Sequence, residues 1–146
     1  MGDFGWPPGI MIECGKFLHF ESTILEKYNE ILDVLWKTVC TRLFMETLSR
    51  LSSGEKIQYE NTIVDKNGIT LIQKKLFGND VPIYSDWKDL TLLSADGMFQ
   101  IQSTTNKKAK ARLSYRDYDN IHILESVMRF LWKDGNYKRL MNGEFK

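Results

Sequence analysis

The stretch that decides the fold is residues 111–132, ARLSYRDYDNIHILESVMRFLW. A strand ends in its first residues, a polar turn follows, and an amphipathic helix begins at about Asn120, with Asp119 or Asn120 as its cap. Gly135 marks the end of this helical segment. The apolar residues of the helix recur at helical spacing, and they are Ile121, Leu124, Val127, Met128, Leu131 and Trp132. We therefore predict a closing helix that buries one face against the strands before it.

Residues 55–115 carry the pattern of antiparallel strands, because apolar and polar side chains alternate with a period of two. The first strand is expected to continue to the turn at Lys66-Asn67-Gly68, where Asn-Gly suits a hairpin with positive φ at both central positions. Further turn signals are residues 78–80, Asp96-Gly97 and residues 104–107. The count predicts a six- or seven-stranded antiparallel sheet that curls, or closes into a barrel.

A long helix is predicted before the strands, from about Ser22 to Leu51, with Gly54 as a left-handed cap after its end. Its apolar residues recur at intervals of three and four, and they include Leu25, Tyr28, Leu32, Leu35, Val39 and Leu43. So wide a stripe indicates either burial against more than one neighbour or a helical dimer interface. Residues 1–20 are too apolar for a free tail and are expected to pack as a short strand or a lid.

The predicted fold class is therefore α+β. Residues 1–53 are expected to form an arm and a long helix that packs on the domain, residues 54–135 the sheet and its closing helix, and residues 136–146 a loosely ordered tail. Twenty Lys and Arg against nineteen Asp and Glu leave a net charge of +1, which argues against a dedicated nucleic-acid binder. We find neither a secretory signal nor an apolar run of about 18 residues, so we expect a soluble, cytoplasmic protein.

The strand-rich part resembles pleckstrin-homology-like (PH-like) domains, in which six or seven short antiparallel strands are closed by one amphipathic helix. Bacterial PH-like proteins of unassigned function share the features seen here at residues 67–71 (NGITL), 87–90 (WKDL) and 119–124 (DNIHIL). The resemblance covers residues 54–132. It implies a binding or scaffolding role and brings no catalytic residues with it.

Motif inspection predicts no catalytic, cofactor or metal site. His19 and His122 have no sequence-evident partners for acid–base chemistry, and Cys14 and Cys40 lack the spacing of a zinc site. The sequence contains neither a P-loop nor a GxGxxG motif, so we do not expect a nucleotide cofactor. We read the chain as a non-catalytic module.

One charged patch is a candidate binding site for an anion or a partner. It comprises Lys107, Lys108, Lys110 and Arg112, of which the last three alternate and would share one strand face. A row of cations could hold a phosphate or an anionic lipid headgroup by charge-assisted hydrogen bonds. The alternative is a solvated face whose charges protect a sheet edge.

Two rival interpretations stay open. The chain could be a small cone-shaped α+β pocket protein or enzyme, with polar groups such as His19, Tyr28 or Trp36 lining the pocket. It could instead be a structural homodimer that associates through the helix from Ser22 to Leu51.

Overall fold

The computed structural model describes the backbone of residues 8–145 and the side chains of residues 23–145. The chain divides into two compact units, Met1–Cys40 and Thr41–Lys146. The division falls inside the first helix. Residues 41–52, which the sequence pattern groups with the N-terminal segment, thus belong to the compact unit that holds the strands.

Helix α1 runs from Pro8 to Ser52 and is longer than the sequence predicts. The expected short strand or lid is wrong for residues 8–20, which belong to this helix. Residues 1–7, to which the same expectation applied, lie outside the described residues. Proline fits the first helical position, because its fixed φ suits a helix and its missing N–H needs no partner there. The predicted C-terminal end is confirmed: Gly54 has φ 92°, and the Glu55 N–H reaches back 3.0 Å to the Arg50 carbonyl.

Seven antiparallel strands form two sheets. They are β1 (Ile57–Tyr59), β2 (Thr62–Val64), β3 (Gly68–Gln73), β4 (Val81–Asp86), β5 (Leu90–Ala95), β6 (Met98–Ser103) and β7 (Lys110–Ser114). The first sheet has the order β1-β2-β3-β4 and the second the order β5-β6-β7. The antiparallel α+β class is confirmed, whereas across residues 8–145 the two sheets are not closed into a barrel.

Two of the strand connections differ from the sequence pattern. The predicted first strand is a hairpin, because Glu60 adopts φ 52° and turns the chain between β1 and β2. At residues 65–68 no residue has positive φ; the Asp65 carboxylate instead accepts the N–H groups of Asn67 and Gly68 at 2.8 and 3.0 Å. The turn at Asp96-Gly97 has φ 53° and 71° and follows the prediction.

Gly68 is needed for a reason other than turn conformation. A Cβ at this position would lie 2.3 Å from the Ser85 carbonyl oxygen on the paired strand β4. Because that oxygen is backbone, it has little freedom to move aside. Gly68 therefore permits the close approach of β3 and β4.

Helix α2 spans Ile121–Trp132 and supplies much of the core. Asn120 lies at its N-cap with φ 61°, and its backbone carbonyl, rather than its side chain, receives the first helical hydrogen bonds. All but one of the predicted apolar residues of α2 are buried, and Ile123 is buried with them; the exception is Trp132, which is half exposed. It packs in a core that includes Leu71, Trp87, Phe99, Ile101 and Leu113.

The C-terminal tail is packed rather than loose, contrary to the expectation. Helix α3 (Tyr137–Met141) buries Leu140, and the Phe145 N–H donates to the Ser52 hydroxyl at 3.2 Å. The Phe130 ring makes edge contacts with Phe44 and with Phe145, at centroid distances of 5.6 and 5.8 Å. Phe145 of the tail thus packs on α2 and hydrogen-bonds to the last residue of α1.

Candidate functional site

The predicted basic patch lies on and just before strand β7. Lys110 and Arg112 are exposed on the strand, two residues and about 7 Å apart, while Leu113 faces the core. They pair across to Gln102 and Gln100 of strand β6. Lys110 and Arg112 therefore lie on the outer side of a sheet-edge strand, as their alternation predicts, whereas Lys107 and Lys108 precede the strand.

Three of the four predicted residues line a cleft of about 280 Å³. Lys108, Lys110 and Arg112 contribute to its wall, and Lys107 does not. Lys108 lies in the turn before β7, so it is not part of the strand row that the sequence suggests. We call this cavity the basic cleft.

The other wall of the basic cleft comes from the first sheet, since β3 and β7 contact each other. Lys74, which follows the last residue of β3, adds a fourth cation. The remaining residues of the lining are Glu60, Asn61, Thr62, Ile72 and Ala111. Sequence reasoning misses Lys74, because the approach of β3 to β7 joins residues more than thirty positions apart.

The charges in the basic cleft are mostly unpaired. Among side chains 23–145, no carboxylate lies within ion-pair distance of Lys74, Lys108, Lys110 or Arg112. Among the described residues of the lining, the one acid is Glu60, whose Oε1 accepts a hydrogen bond from the Asn61 side-chain amide at 3.4 Å. The Glu60 carboxylate also raises the pKa of the Tyr118 hydroxyl. The cleft thus retains a net positive charge.

A second cleft, of about 390 Å³, lies between the end of α1, strand β1 and the start of α2. Its charged residues have mixed signs: Arg50 and Lys56 face Glu46 and Asp119. Arg50 is also hydrogen-bonded to Glu55 outside the lining, with Nε 2.9 Å from Oε2. This cavity therefore presents no consistent electrostatic preference for a ligand.

A polar network ties α2 to the second sheet. The Glu125 carboxylate accepts hydrogen bonds from the Ser94 hydroxyl, the Tyr115 hydroxyl and Arg129 Nε, the last at 2.7 Å. Arg129 Nη2 also donates to the Ser94 oxygen at 2.6 Å. Burial acts to raise the pKa of Glu125, but these hydrogen bonds and the Arg129 charge lower it on balance. We call these four residues the Glu125 network.

The other polar candidates do not form a reactive site among the described residues. Tyr28 and Trp36 are exposed on α1, and His122 lies on α2 outside the linings of both clefts, while His19 falls outside the described side chains. Within side chains 23–145, no three His, Cys, Asp or Glu residues are placed to share a metal ion.

Comparison of the chain with protein-family models, with curated proteins and with solved structures finds no match. In the part of the chain that is described, no helix is both long and apolar enough to cross a membrane.

Proposed function

We propose that residues 54–132 form a non-catalytic binding module with a PH-like fold, and that its basic cleft holds an anionic ligand bearing phosphate groups. The order of the elements supports the PH-like assignment: four antiparallel strands, then three, then a helix whose apolar face enters the core. Binding rather than catalysis is favoured because the cleft offers cations and no paired acid and base.

The observation that carries this proposal is the convergence of four cations on one concave surface. Lys74 follows β3 of the first sheet, whereas Lys108, Lys110 and Arg112 come from the turn before β7 and from β7 in the second sheet. Ammonium groups give strong charge-assisted hydrogen bonds to phosphate oxygens, and the planar guanidinium of Arg112 can bind two of them at once. A phosphate-bearing ligand would supply the negative charge that side chains 23–145 do not provide in the cleft.

Edge protection explains only part of this arrangement. Strand β7 lies at the edge of the second sheet, so charges at Lys110 and Arg112 would discourage pairing with another chain. Lys74 follows β3, which is an inner strand of the first sheet. Its place in the same cleft needs a different reason, and ligand binding provides one.

Isothermal titration calorimetry with inositol hexakisphosphate, a soluble polyphosphate, measures the binding affinity and tests the proposal. The double variant Lys110→Glu with Arg112→Glu should lower the affinity by about 100-fold, because it removes two charge-assisted contacts and introduces repulsion. The matched control is Lys133→Glu with Lys138→Glu, which makes the same change in net charge at exposed positions outside the cleft. Absence of binding by the wild-type protein, or equal losses in the two variants, would refute the proposal.

A second candidate function, self-association through α1, is favoured by exposed apolar side chains on the helix. Leu25, Tyr28, Leu32, Leu35 and Val39 repeat with spacings of three and four, and each is 44–58% exposed. This spacing is the one by which two helices of a coiled coil interlock, so a second copy of the chain is the fitting partner. Ile24, Ile31 and Val34 are also exposed on this helix. At about 100 Å² of apolar surface for each of the eight side chains, a second copy could cover roughly 800 Å² on each protomer, which is the area of a standard stable interface.

Light scattering over a wide concentration range tests the homodimer. The wild-type chain should have twice the monomer mass of 17.1 kDa, and Leu32→Glu with Leu35→Glu should restore the monomer. Asp33→Lys, an exposed change between these two positions, is the control and should leave the dimer intact. A wild-type protein that stays monomeric at every concentration would exclude this function.

A further inference from the structure

The loop between β3 and β4, residues 74–80, carries two adjacent large apolar side chains almost entirely in solvent. Leu76 is 97% exposed and Phe77 is 92% exposed, whereas the other exposed large apolar side chains among those described reach at most 63%. Single exposed apolar residues are common on protein surfaces, but turns usually carry polar residues and glycine. Neither side chain contributes burial to the fold, so the fold itself does not explain them.

The same loop begins at the basic cleft. Lys74 lines the cleft, and Leu76 follows two residues later, so their Cα atoms are at most about 7 Å apart. Lys75 is also exposed, and its N–H donates to the Asp80 carboxylate at 3.3 Å, which bridges the base of the loop. The apolar tip is therefore bordered by cations, and Asp80 is the one acid in residues 74–80.

An apolar tip beside a group of cations is suited to the boundary of an anionic lipid bilayer. Apolar side chains gain by leaving water for the acyl boundary, and lysine and arginine near the surface are attracted to anionic headgroups. A soluble phosphate compound would use the cations alone and would leave Leu76 and Phe77 in water. The combination favours a lipid surface over a free ligand.

We infer that the β3–β4 loop docks on an anionic membrane surface, with Leu76 and Phe77 inserted among the lipids and the cations of the basic cleft against the headgroup phosphates. The electrostatic half of this inference rests on the proposed function of the cleft. The apolar half rests on the loop alone. The two halves can therefore be tested separately.

Sedimentation with vesicles provides the test. Wild-type protein should sediment with phosphatidylcholine vesicles that contain roughly one third phosphatidylserine and should remain in solution with phosphatidylcholine alone. Leu76→Ser with Phe77→Ser should lower partitioning by about 100-fold, because two side chains lose their burial in lipid. The matched control, Leu93→Ser with Met141→Ser, changes two exposed apolar residues elsewhere and should partition like the wild type.

Each variant is also titrated with inositol hexakisphosphate in solution. Leu76→Ser with Phe77→Ser should keep the wild-type affinity, which also shows that it is folded, whereas Lys110→Glu with Arg112→Glu should lose both activities. Wild-type partitioning by the loop variant, or no sedimentation of the wild-type protein, would overturn the membrane inference. A wild-type protein that does not bind the soluble polyphosphate would overturn the proposed function of the cleft.

Discussion

The basic cleft and the Glu125 network are both clusters of charged side chains, but they are neutralised to different extents. In the network, Glu125 accepts three hydrogen bonds and Arg129 lies 2.7 Å from it, so opposite charges meet within the protein. In the cleft, four cations share the described lining with one carboxylate, Glu60, which is hydrogen-bonded to its neighbour Asn61. The charges of the first cluster are matched within the protein, whereas the described lining of the second keeps an excess of positive charge.

We propose that this difference separates a structural role for the Glu125 network from a binding role for the basic cleft. The network joins α2 to β5 and to the residue after β7, so its bonds fix the closing helix on the second sheet. The cations of the cleft make no comparable bonds among the described side chains, so we expect them to contribute little to the stability of the fold. Stability measurements should therefore respond to the network, and ligand binding to the cleft.

The largest expected effect on stability is at Glu125. Glu125→Ala should lower the free energy of unfolding by about 2 kcal/mol, because it removes an acceptor of three hydrogen bonds and leaves Arg129 without its partner. Glu144→Ala is the matched control: it breaks an exposed ion pair with Arg139 and should cost less than about 0.5 kcal/mol. Urea denaturation measures both, and equal losses would mean that the network is not a special stabilising feature.

A smaller effect is expected from pH. The pKa of Glu125 is lower in the folded protein than its ordinary value of 4.5, so its contribution is fully present above pH 4.5 and is lost as the pH falls through the folded pKa. The difference in urea midpoint between wild-type protein and Glu125→Gln should therefore shrink below pH 4.5. A difference that stays constant down to the acid transition would contradict this role for the Glu125 charge.

The smallest effect on stability is expected in the cleft. Lys110→Ala and Arg112→Ala should each change the free energy of unfolding by less than about 0.5 kcal/mol, because both side chains are exposed and form no ion pair with the described residues. A slight stabilisation would also fit, since each change relieves repulsion among the cations. A loss above about 1 kcal/mol in thermal or urea unfolding would show that the row is structural, and the contrast with Glu125 would fail.

Local patterns predict the elements whose cause lies within a few residues. The face of α2, the turn at Asp96-Gly97 and the left-handed Gly54 after α1 all follow from spacing or from φ preference. The hairpin at Glu60 does not, because alternation continues through it and glutamate rarely adopts a positive φ. Glycine is common in turns, but at position 68 it is needed because a Cβ would collide with the Ser85 carbonyl oxygen on β4.

The residues of the candidate site likewise divide into those that a local pattern predicts and those that only long-range contacts bring together. Lys110 and Arg112 could be placed on one strand face from their alternation, and the structure puts them in one lining. Lys74 and Glu60 join them only through contacts between the sheets, which no local pattern encodes. The Glu125 network is likewise long-range, since Ser94 and Arg129 are separated by 35 residues. The helical period at α2 gives no sign of it.

Amide chemical-shift mapping during titration with inositol hexakisphosphate tests the central contrast most directly. The account predicts that the largest shifts cluster at residues 60–62, 72–75 and 108–112, and that residues 94, 115, 125 and 129 stay unchanged at saturation. Shifts centred on the Glu125 network, or spread evenly over every exposed lysine, would contradict the claim that the unneutralised cleft is the binding site.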